Sequence, residues 1–362
     1  MIDPNRAGVS EQAWREATQT CHELVVERIV EETHDSRSFV LAIPPDFREA
    51  FRYEAGQFLS FKIPFEGQIL VRSYSLSSSP GIDSEHKVTV KRVEDGVVSN
   101  LMNDRLRVGD SLMVVPPGGL FVLRKETRPL FFFAGGSGIT PVISLIKSAL
   151  HTTQRKIELA YANRDRRSII FEAELDALAA KYPDRLSLEH SLDDTDGFLD
   201  GDRVRGLAAG RQEGDFYLCG PSAFMDVVEG GLQGLSIDRD RIHIERFVSP
   251  PDRAADAPPE SPDGLDDDAG VPDRVTISLD GKTTEVSYEA GERILGAARR
   301  GGLDPPFSCE EGYCSCCMAK LVDGKVQMVV NDCLTEDLLE EGWILTCQAR
   351  CVAGNVKVEY PD

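Results

Sequence analysis

The chain is predicted to fold as three successive domains: a small antiparallel β-barrel, an α/β domain on a parallel sheet, and a β-grasp domain. Three observations carry this. Short alternating strands punctuated by Pro and Gly run from Cys21 to Gly118, the pattern of a closed antiparallel sheet. From Arg128, apolar strands alternate with helical stretches, which requires crossover connections and a parallel sheet. After a segment rich in Pro, Asp and Ala, Asp-Gly turn signals reappear around a single helical stretch. The implied boundaries are a lead-in at 1–20, the barrel at 21–127, the α/β domain at 128–249, a linker at 250–272 and the last domain at 273–362.

In order, residues 1–20 read as a poorly ordered or short helical lead-in. HELVVERIVEET and SRSFVLAIP alternate as half-buried strands do. FLSFKIPF, VRSYSLSS, HKVTVKRVE and DSLMVVPPG continue the barrel, and Gly96-Val97-Val98-Ser99-Asn100 opens a helix. PLFFFAGG, KIELAYANR, LSLEHSL and DFYLCGP read as the strands of the second domain. Thr140–Leu150, Ile169–Lys181 and SAFMDVVEGGL read as its helices. The linker has almost no large apolar residue and cannot bury enough surface to order itself. VTISLDGKTTEVSY reads as a hairpin turning at Asp280-Gly281, followed by a helix through Arg300 and a second hairpin turning at Asp323-Gly324.

Composition narrows the class. The 362 residues are 41% hydrophobic and carry a formal net charge of −21. That acidity argues against nucleic acid or an anionic membrane surface as the main partner. No run approaches the ~20 apolar residues of a membrane span, and the first residues lack the basic and apolar regions of a signal peptide. A soluble cytoplasmic protein is expected. Nine cysteines in that setting read as ligands before disulfides, and most crowd into Cys309–Cys351. Cys21 reads as a small buried filler.

Cys309, Cys314 and Cys317 stand at C-x4-C-x2-C, with Cys347 further on. This is the plant-type spacing for a [2Fe–2S] cluster. Structural zinc also uses four cysteines, but with paired C-x2-C knuckles, so the cluster is the better reading. Cys316, beside Cys317, would need the wrong spacing to ligate. With Cys333 and Cys351 it reads as a packed bystander.

Two stretches suit phosphates. Arg72-Ser73-Tyr74-Ser75 is a weak signal by itself, since a surface strand carries it equally well. Thr89, Lys91 and the helix start at Gly96–Ser99 strengthen it, because a free helix N-terminus and an arginine fork make a pyrophosphate cradle. Gly135-Gly136-Ser137-Gly138-Ile139-Thr140-Pro141 follows a strand and opens a helix, so its backbone approaches a dinucleotide closely. Cys219-Gly220-Pro221 reads most simply as a buried strand end before a turn. Asn163-Arg164-Asp165-Arg166-Arg167 offers an acid for a ribose hydroxyl and arginines for a 2′-phosphate.

The order RSYS, VKR, GVVSN, GGSGITP, CGP resembles the ferredoxin–NADP reductase superfamily, here with a C-terminal plant-type ferredoxin domain. The resemblance covers nearly the whole chain after residue 20. It implies FAD on the barrel. Arg72 would hold the pyrophosphate, Tyr74 would stack on the isoalloxazine and Ser75 would reach its N5 edge. Thr89 and Lys91 would line the site, and Gly96, Val97, Val98 and Ser99 would hold phosphates. Gly135 to Gly138, with Thr140 and Pro141, would bind the nicotinamide dinucleotide. Cys219, with Gly220 and Pro221, would sit beside nicotinamide C4, and Glu245 and Phe247 would close over the flavin. Relatives with Asn163-Arg164 in Y-x-N-R use NADH, with NADPH left open.

Flavin is the required converter in such a chain, because NADH yields two electrons together and the cluster accepts one. The chain looks most like reductase components of bacterial oxygenases, such as those of 3-ketosteroid 9α-hydroxylase and phenylacetyl-CoA epoxidase. The implied partner is a terminal non-haem iron oxygenase, commonly of Rieske type, served by a monomeric reductase. A di-iron desaturase or hydroxylase is the alternative acceptor. A stand-alone diaphorase or flavin reductase and a redox sensor are the readings from other classes. More than half of the negative excess lies from residue 250 onward, including Glu336, Asp337, Glu340 and Glu341. That suits steering toward a basic acceptor, although a solvated helix face explains any one of them.

Overall fold

Alternation of apolar and polar residues closes the first sheet. Ser10 caps α1 (Glu11–Ala17) by accepting from the Ala13 N–H. The strands β1 (His22–Thr33), β2 (Ser36–Ala42), β3 (Phe58–Phe65), β4 (Gln68–Ser75), β5 (His86–Lys91) and β6 (Ser111–Gly118) form a six-stranded antiparallel sheet in the order β4-β3-β6-β1-β2-β5. Its two edges meet where Leu76, just beyond β4, bridges Val88 of β5. The Ser77 N–H also donates to Lys87 O at 2.8 Å. The barrel thereby closes through a short seam just beyond β4. Leu24, Phe39, Leu59, Phe61, Val88 and Val90 fill its interior. The helix α2 (Val97–Arg105) adds Val98 and Met102 to that core.

The computed structural model describes residues 4, 7–18, 21–235, 237–247, 270–307, 310, 312, 315–331, 334 and 336–361. The chain divides into two units, Met1–Asp252 and Arg253–Asp362. The expectation for the linker concerns a stretch mostly outside the described residues, as do Cys309, Cys314 and Cys333.

The second half of the first unit is a doubly wound sheet. Its elements are β7 (Leu130–Gly135), α3 (Ile139–Thr152), β8 (Ile157–Asn163), α4 (Glu172–Lys181), β9 (Leu186–Leu192), α5 (Asp193–Asp196), α6 (Gly201–Ala208), β10 (Asp215–Gly220), α7 (Ser222–Gln233) and β11 (Ile242–Arg246). The strands run parallel in the order β11-β10-β7-β8-β9. The unbroken apolar run of β7 follows from helices on both faces. Leu130, Phe132 and Ala134 enter one core with α3, while Phe131 and Phe133 enter the other with α6 and α7. The helix expected from Ile169 begins instead at Glu172. Phe171 adopts φ 61° and starts it, while Ile169 and Ile170 are buried as anchors. Neither α6 nor β11 is among the elements expected from sequence. The N-cap of α6, Asp200 accepting from the Arg203 N–H at 2.9 Å, was the available signal.

Barrel and parallel sheet are tied together within this unit. Lys147 of α3, 5% exposed, pairs with Asp83 at 2.6 Å and with Glu174 at 3.0 Å. Ser144 Oγ donates to Ser78 O at 2.5 Å.

The second unit contains β12 (Arg274–Leu279), β13 (Lys282–Ser287), α8 (Ile294–Arg300), β14 (Met318–Met328), α9 (Glu336–Glu340), β15 (Trp343–Leu345) and β16 (Ala349–Glu359). The sheet order is β13-β12-β16-β14-β15, with β12 and β16 parallel and the other pairs antiparallel. α8 lays Ile294, Ala297 and Ala298 on that sheet against Val275 and Ile277, giving the expected β-grasp arrangement. Asp280 and Gly281 both take positive φ, 50° and 68°, as a two-residue hairpin turn requires. The second expected hairpin is not formed. β14 runs straight through Asp323-Gly324 and pairs with β16, with register shifts on both sides of Asp323. Gly324 takes φ +87° and lies so close to Val356 that a Cβ would sit 2.8 Å from its Cα. The Asp-Gly pair is a bulge that bends a long strand. No helix among the described residues is long and apolar enough to cross a membrane.

Candidate functional site

The motif residues of the barrel lie on β4 and β5, alternating between the two faces of each strand. Arg72, Ser73 and Tyr74 are half-buried, and Ser75 is 2% exposed. Arg72 Nη1 donates to Val71 O at 2.8 Å, Ser73 shares a hydrogen bond with Ser60 at 2.6 Å, and the Tyr74 ring lies 5.8 Å from that of Phe61. Val88 and Val90 point inward, so Thr89 and Lys91 share the outer face. Thr89 is buried, its hydroxyl within 2.7 Å of Ser38 Oγ and 2.8 Å of Ser77 Oγ. Gly96 precedes α2 with no side-chain cap, leaving the first-turn N–H groups uncapped by side chains. A Cβ there would lie 2.8 Å from Ser99 Oγ, which itself accepts from the Val93 N–H at 3.1 Å. What Val97, Val98 and Ser99 offer a phosphate is therefore backbone, at a helix N-terminus. This donor set fits an FAD pyrophosphate.

The parallel sheet brings its own motifs to the same place. The Gly135–Gly138 turn ends β7 and leads into α3, where the Thr140 hydroxyl donates to Ser137 O at 3.0 Å and Pro141 occupies the first turn. Gly138 packs on the end of β10 so closely that a Cβ would lie 2.0 Å from Cys219 O. A side chain there would push the glycine turn away from Cys219-Gly220-Pro221. At the end of β8, Asn163 is 4% exposed; its amide makes only a loose contact with the Tyr161 hydroxyl and has no other hydrogen-bond partner among the described residues. A buried amide left in this state fits a site for a polar dinucleotide.

Three residues expected to act together meet across the two halves. Cys219 and Glu245 are paired neighbours on β10 and β11. The Ser75 hydroxyl stands 3.4 Å from Glu245 Oε2. Burial pushes the Glu245 carboxyl up to about 8, against the opposing hydrogen bond from Ser75. Burial also pushes the Cys219 thiol well up, and the charge of Glu245 adds to it. At neutral pH the cluster is a thiol, a hydroxyl and a largely protonated carboxyl, able to donate hydrogen bonds without fixed charge. Phe247 packs partly buried against the same core.

Lys91 and Arg164 meet at one acid of the barrel, Asp35. Arg164 Nη2 pairs with Asp35 Oδ2 at 2.7 Å, and Lys91 Nζ lies 3.9 Å from the same oxygen. Lys91 also borders the dinucleotide turn, since a Cβ on Gly136 would lie 3.6 Å from its Nζ. Sequence reasoning missed Asp35, because its partner is remote in sequence and a Thr-x-Asp turn carries no functional signal by itself. Arg166 pairs with Glu172 at 2.8 Å and Arg167 with Asp165 at 3.6 Å.

In the second unit, Cys317 and Cys347 are both buried, and the Cys347 N–H points to Cys317 Sγ at 3.5 Å. Gln348 Nε2 lies 3.6 Å from Cys347 Sγ and donates to Glu310 O at 2.8 Å. The Cys317 hydrogen bond holds the Cys347 thiol below its ordinary range against desolvation, helped by Gln348, the Gly312 N–H and Arg293. Gly312 takes φ +89° with a would-be Cβ 3.0 Å from Val330 O, so the loop passes where only glycine fits. Paired buried thiols with N–H donors around them fit a thiolate-bound cluster. Cys316 is half-buried and Cys351 is buried.

Three family models match the chain. The oxidoreductase FAD-binding domain covers residues 23–123, the oxidoreductase NAD-binding domain 132–230, and the 2Fe-2S iron-sulfur cluster binding domain 277–352. The chain is 41% identical over 340 residues to the ferredoxin reductase component of 3-ketosteroid-9-alpha-monooxygenase from Rhodococcus rhodochrous, spanning 93% of this chain and 96% of that one. The chain belongs to the flavin and iron–sulfur reductase components of oxygenase systems. This reductase passes electrons from a nicotinamide dinucleotide by way of FAD and a [2Fe–2S] cluster to a partner oxygenase. It is also 34% identical over 359 residues to one of the polypeptides of the 1,2-phenylacetyl-CoA epoxidase of Escherichia coli K12, covering 94% and 98% of the two chains. The reductase shares the fold of phthalate dioxygenase reductase, with a TM-score of 0.58, 24% identity and coverage of 94% and 98%.

Proposed function

We propose that the reductase draws on NADH, works as a monomer, and delivers electrons to a non-haem iron oxygenase of Rieske type that hydroxylates a steroid-like ring. The convergence of Ser75, Cys219 and Glu245 from the barrel and the parallel sheet carries the reading of the chemistry. FAD, when bound, supplies two-electron acceptance with one-electron release. Ser75 would hold the reactive edge of the flavin by a hydrogen bond. Glu245, protonated near neutral pH, would keep that hydroxyl oriented without placing an anion beside it. Cys219 would pack against the nicotinamide, held by its position on Gly138. Arg72 and the N-terminus of α2 would bind the pyrophosphate, and the Gly135–Gly138 turn, Thr140, Pro141 and Asn163 the dinucleotide. Cys309, Cys314, Cys317 and Cys347 would ligate the cluster.

The pairing of Arg164, Arg166 and Arg167 with acids supports NADH, since a 2′-phosphate would compete with each carboxylate. The full-length likeness to the 3-ketosteroid-9-alpha-monooxygenase component supports the acceptor. Reconstitution tests it: the purified reductase should couple NADH use to steroid hydroxylation by a 3-ketosteroid oxygenase component, far faster than it reduces free flavin. Coupling to a di-iron epoxidase component alone would replace this acceptor with the other. Equal rates with free flavin would replace it with a diaphorase. Light scattering in solution at one chain mass checks the monomer.

A further inference from the structure

Arg164 stands at the end of β8, in the loop that faces the adenosine side of a dinucleotide in a sheet of this kind. Its guanidinium does not stand free there. It reaches across to the barrel and pairs with Asp35 Oδ2 at 2.7 Å. Asp35 lies in the tight turn between β1 and β2 and is itself held. The Thr33 hydroxyl donates to Asp35 Oδ1 at 2.8 Å, and the Asp35 side chain is 12% exposed. Although desolvation works the other way, the Thr33 hydrogen bond and the charges of Lys91, His34 and Arg164 keep Asp35 ionised below its ordinary range. The second cation of this corner, Lys91, shares the same oxygen at 3.9 Å. The Asp194 N–H donates to Arg164 O at 3.1 Å, which brings the acidic helix α5, with Asp193 and Asp194, alongside.

We propose that Asp35 is a specificity-determining positioning residue, which by holding Arg164 from the flavin-binding barrel keeps its guanidinium from a 2′-phosphate and so excludes 2′-phosphorylated dinucleotides. Selectivity of the dinucleotide domain is then set partly by a residue of another domain. An arginine fork is otherwise well suited to a phosphate, so its presence in the loop alone would suggest NADPH. The held carboxylate engages one arm of that fork, Nη2, at 2.7 Å, turns the guanidinium toward the barrel and repels a second anion. Lys91 is restrained by the same carboxylate, so loss of Asp35 frees two cations together. The inference rests on the NADH reading but is tested apart from it.

The test is calorimetric binding of 2′,5′-ADP and 5′-ADP to the full-length, FAD-loaded reductase, reported as the ratio of the two affinities. Asp35→Asn should raise the preference for the 2′-phosphorylated ligand about tenfold, the scale of one additional charge-assisted hydrogen bond. In an Arg164→Gln background the same change should raise it little. Thr33→Val, which loosens Asp35 without removing it, should give a smaller rise in the same direction. It carries the test if Asp35→Asn fails to retain flavin. A general loss of folding lowers both affinities and leaves the ratio where it was. An unchanged ratio in both Asp35→Asn and Thr33→Val overturns the proposal, as does a full gain that persists without Arg164, which would assign the effect to the field of Asp35 alone. A wild-type preference for the 2′-phosphorylated ligand would overturn both the NADH reading and the exclusion by Asp35, whereas a wild-type preference for 5′-ADP with an unchanged ratio in the variants would overturn the role of Asp35 alone.

Discussion

Glu245 shows how one buried group sets the character of a site. Its folded pKa of about 8 stands above the ordinary 4.5, so between those values the folded chain holds a proton that the unfolded chain has released. Stability contributed this way is present below 4.5 and is lost as the pH rises toward 8. Glu245→Gln, neutral throughout, should match wild type near pH 5 and become relatively more stable near pH 8. Melting curves across that range check this, and parallel curves would sink it. Ser75→Ala should leave the fold intact, because the hydroxyl is small and its partner stays protonated. It should slow flavin reduction in a stopped-flow trace by about 10²-fold, the scale of one positioned hydrogen-bonding group. Cys317→Ser should abolish the visible absorbance of the cluster while flavin absorbance remains, because a cluster short of one thiolate is not held.

The elements matter through where their ends fall. Gly138 lets the start of α3 touch the end of β10, and that contact places the dinucleotide turn against Cys219. Gly138→Ala puts a Cβ 2.0 Å from Cys219 O, in backbone that cannot yield like a flexible side chain. It should cost about 1–3 kcal/mol of stability as overpacking does. Dinucleotide affinity, read by titration, should fall more than flavin content. A full-strength site in Gly138→Ala would mean that the close approach is incidental. Most elements were legible because their periodicity follows directly from which faces are covered: β7 is apolar throughout since helices cover both sides, and the first half of β1 alternates since one face lines the barrel. Asp323-Gly324 misled because a turn-prone pair serves equally in a bulge. Only the partner strand decides between them, and β16 is remote in sequence.

Across the whole molecule, the acidic balance suits a donor that meets a basic acceptor. Reduction of the partner oxygenase should slow as salt rises through the range where the Debye length falls below about 10 Å. Flavin reduction at saturating NADH, which involves no second protein, should change less. Stopped-flow traces at graded ionic strength separate the two, and a flat profile for the oxygenase step would count against electrostatic steering.

The sequence alone determined the order of the domains, the cysteine spacing and the glycine turns, because these depend on neighbours within a few residues or on a repeating pattern. The tertiary structure alone decided which groups meet. Ser75 and Glu245 come together from strands of different domains, Arg164 is held by Asp35 of the barrel, and Lys147 is clamped between Asp83 and Glu174. Desolvation and ion pairing act through space, and no local spacing records them. A carboxyl that stays protonated and an arginine that is already engaged look the same in sequence as their solvated counterparts.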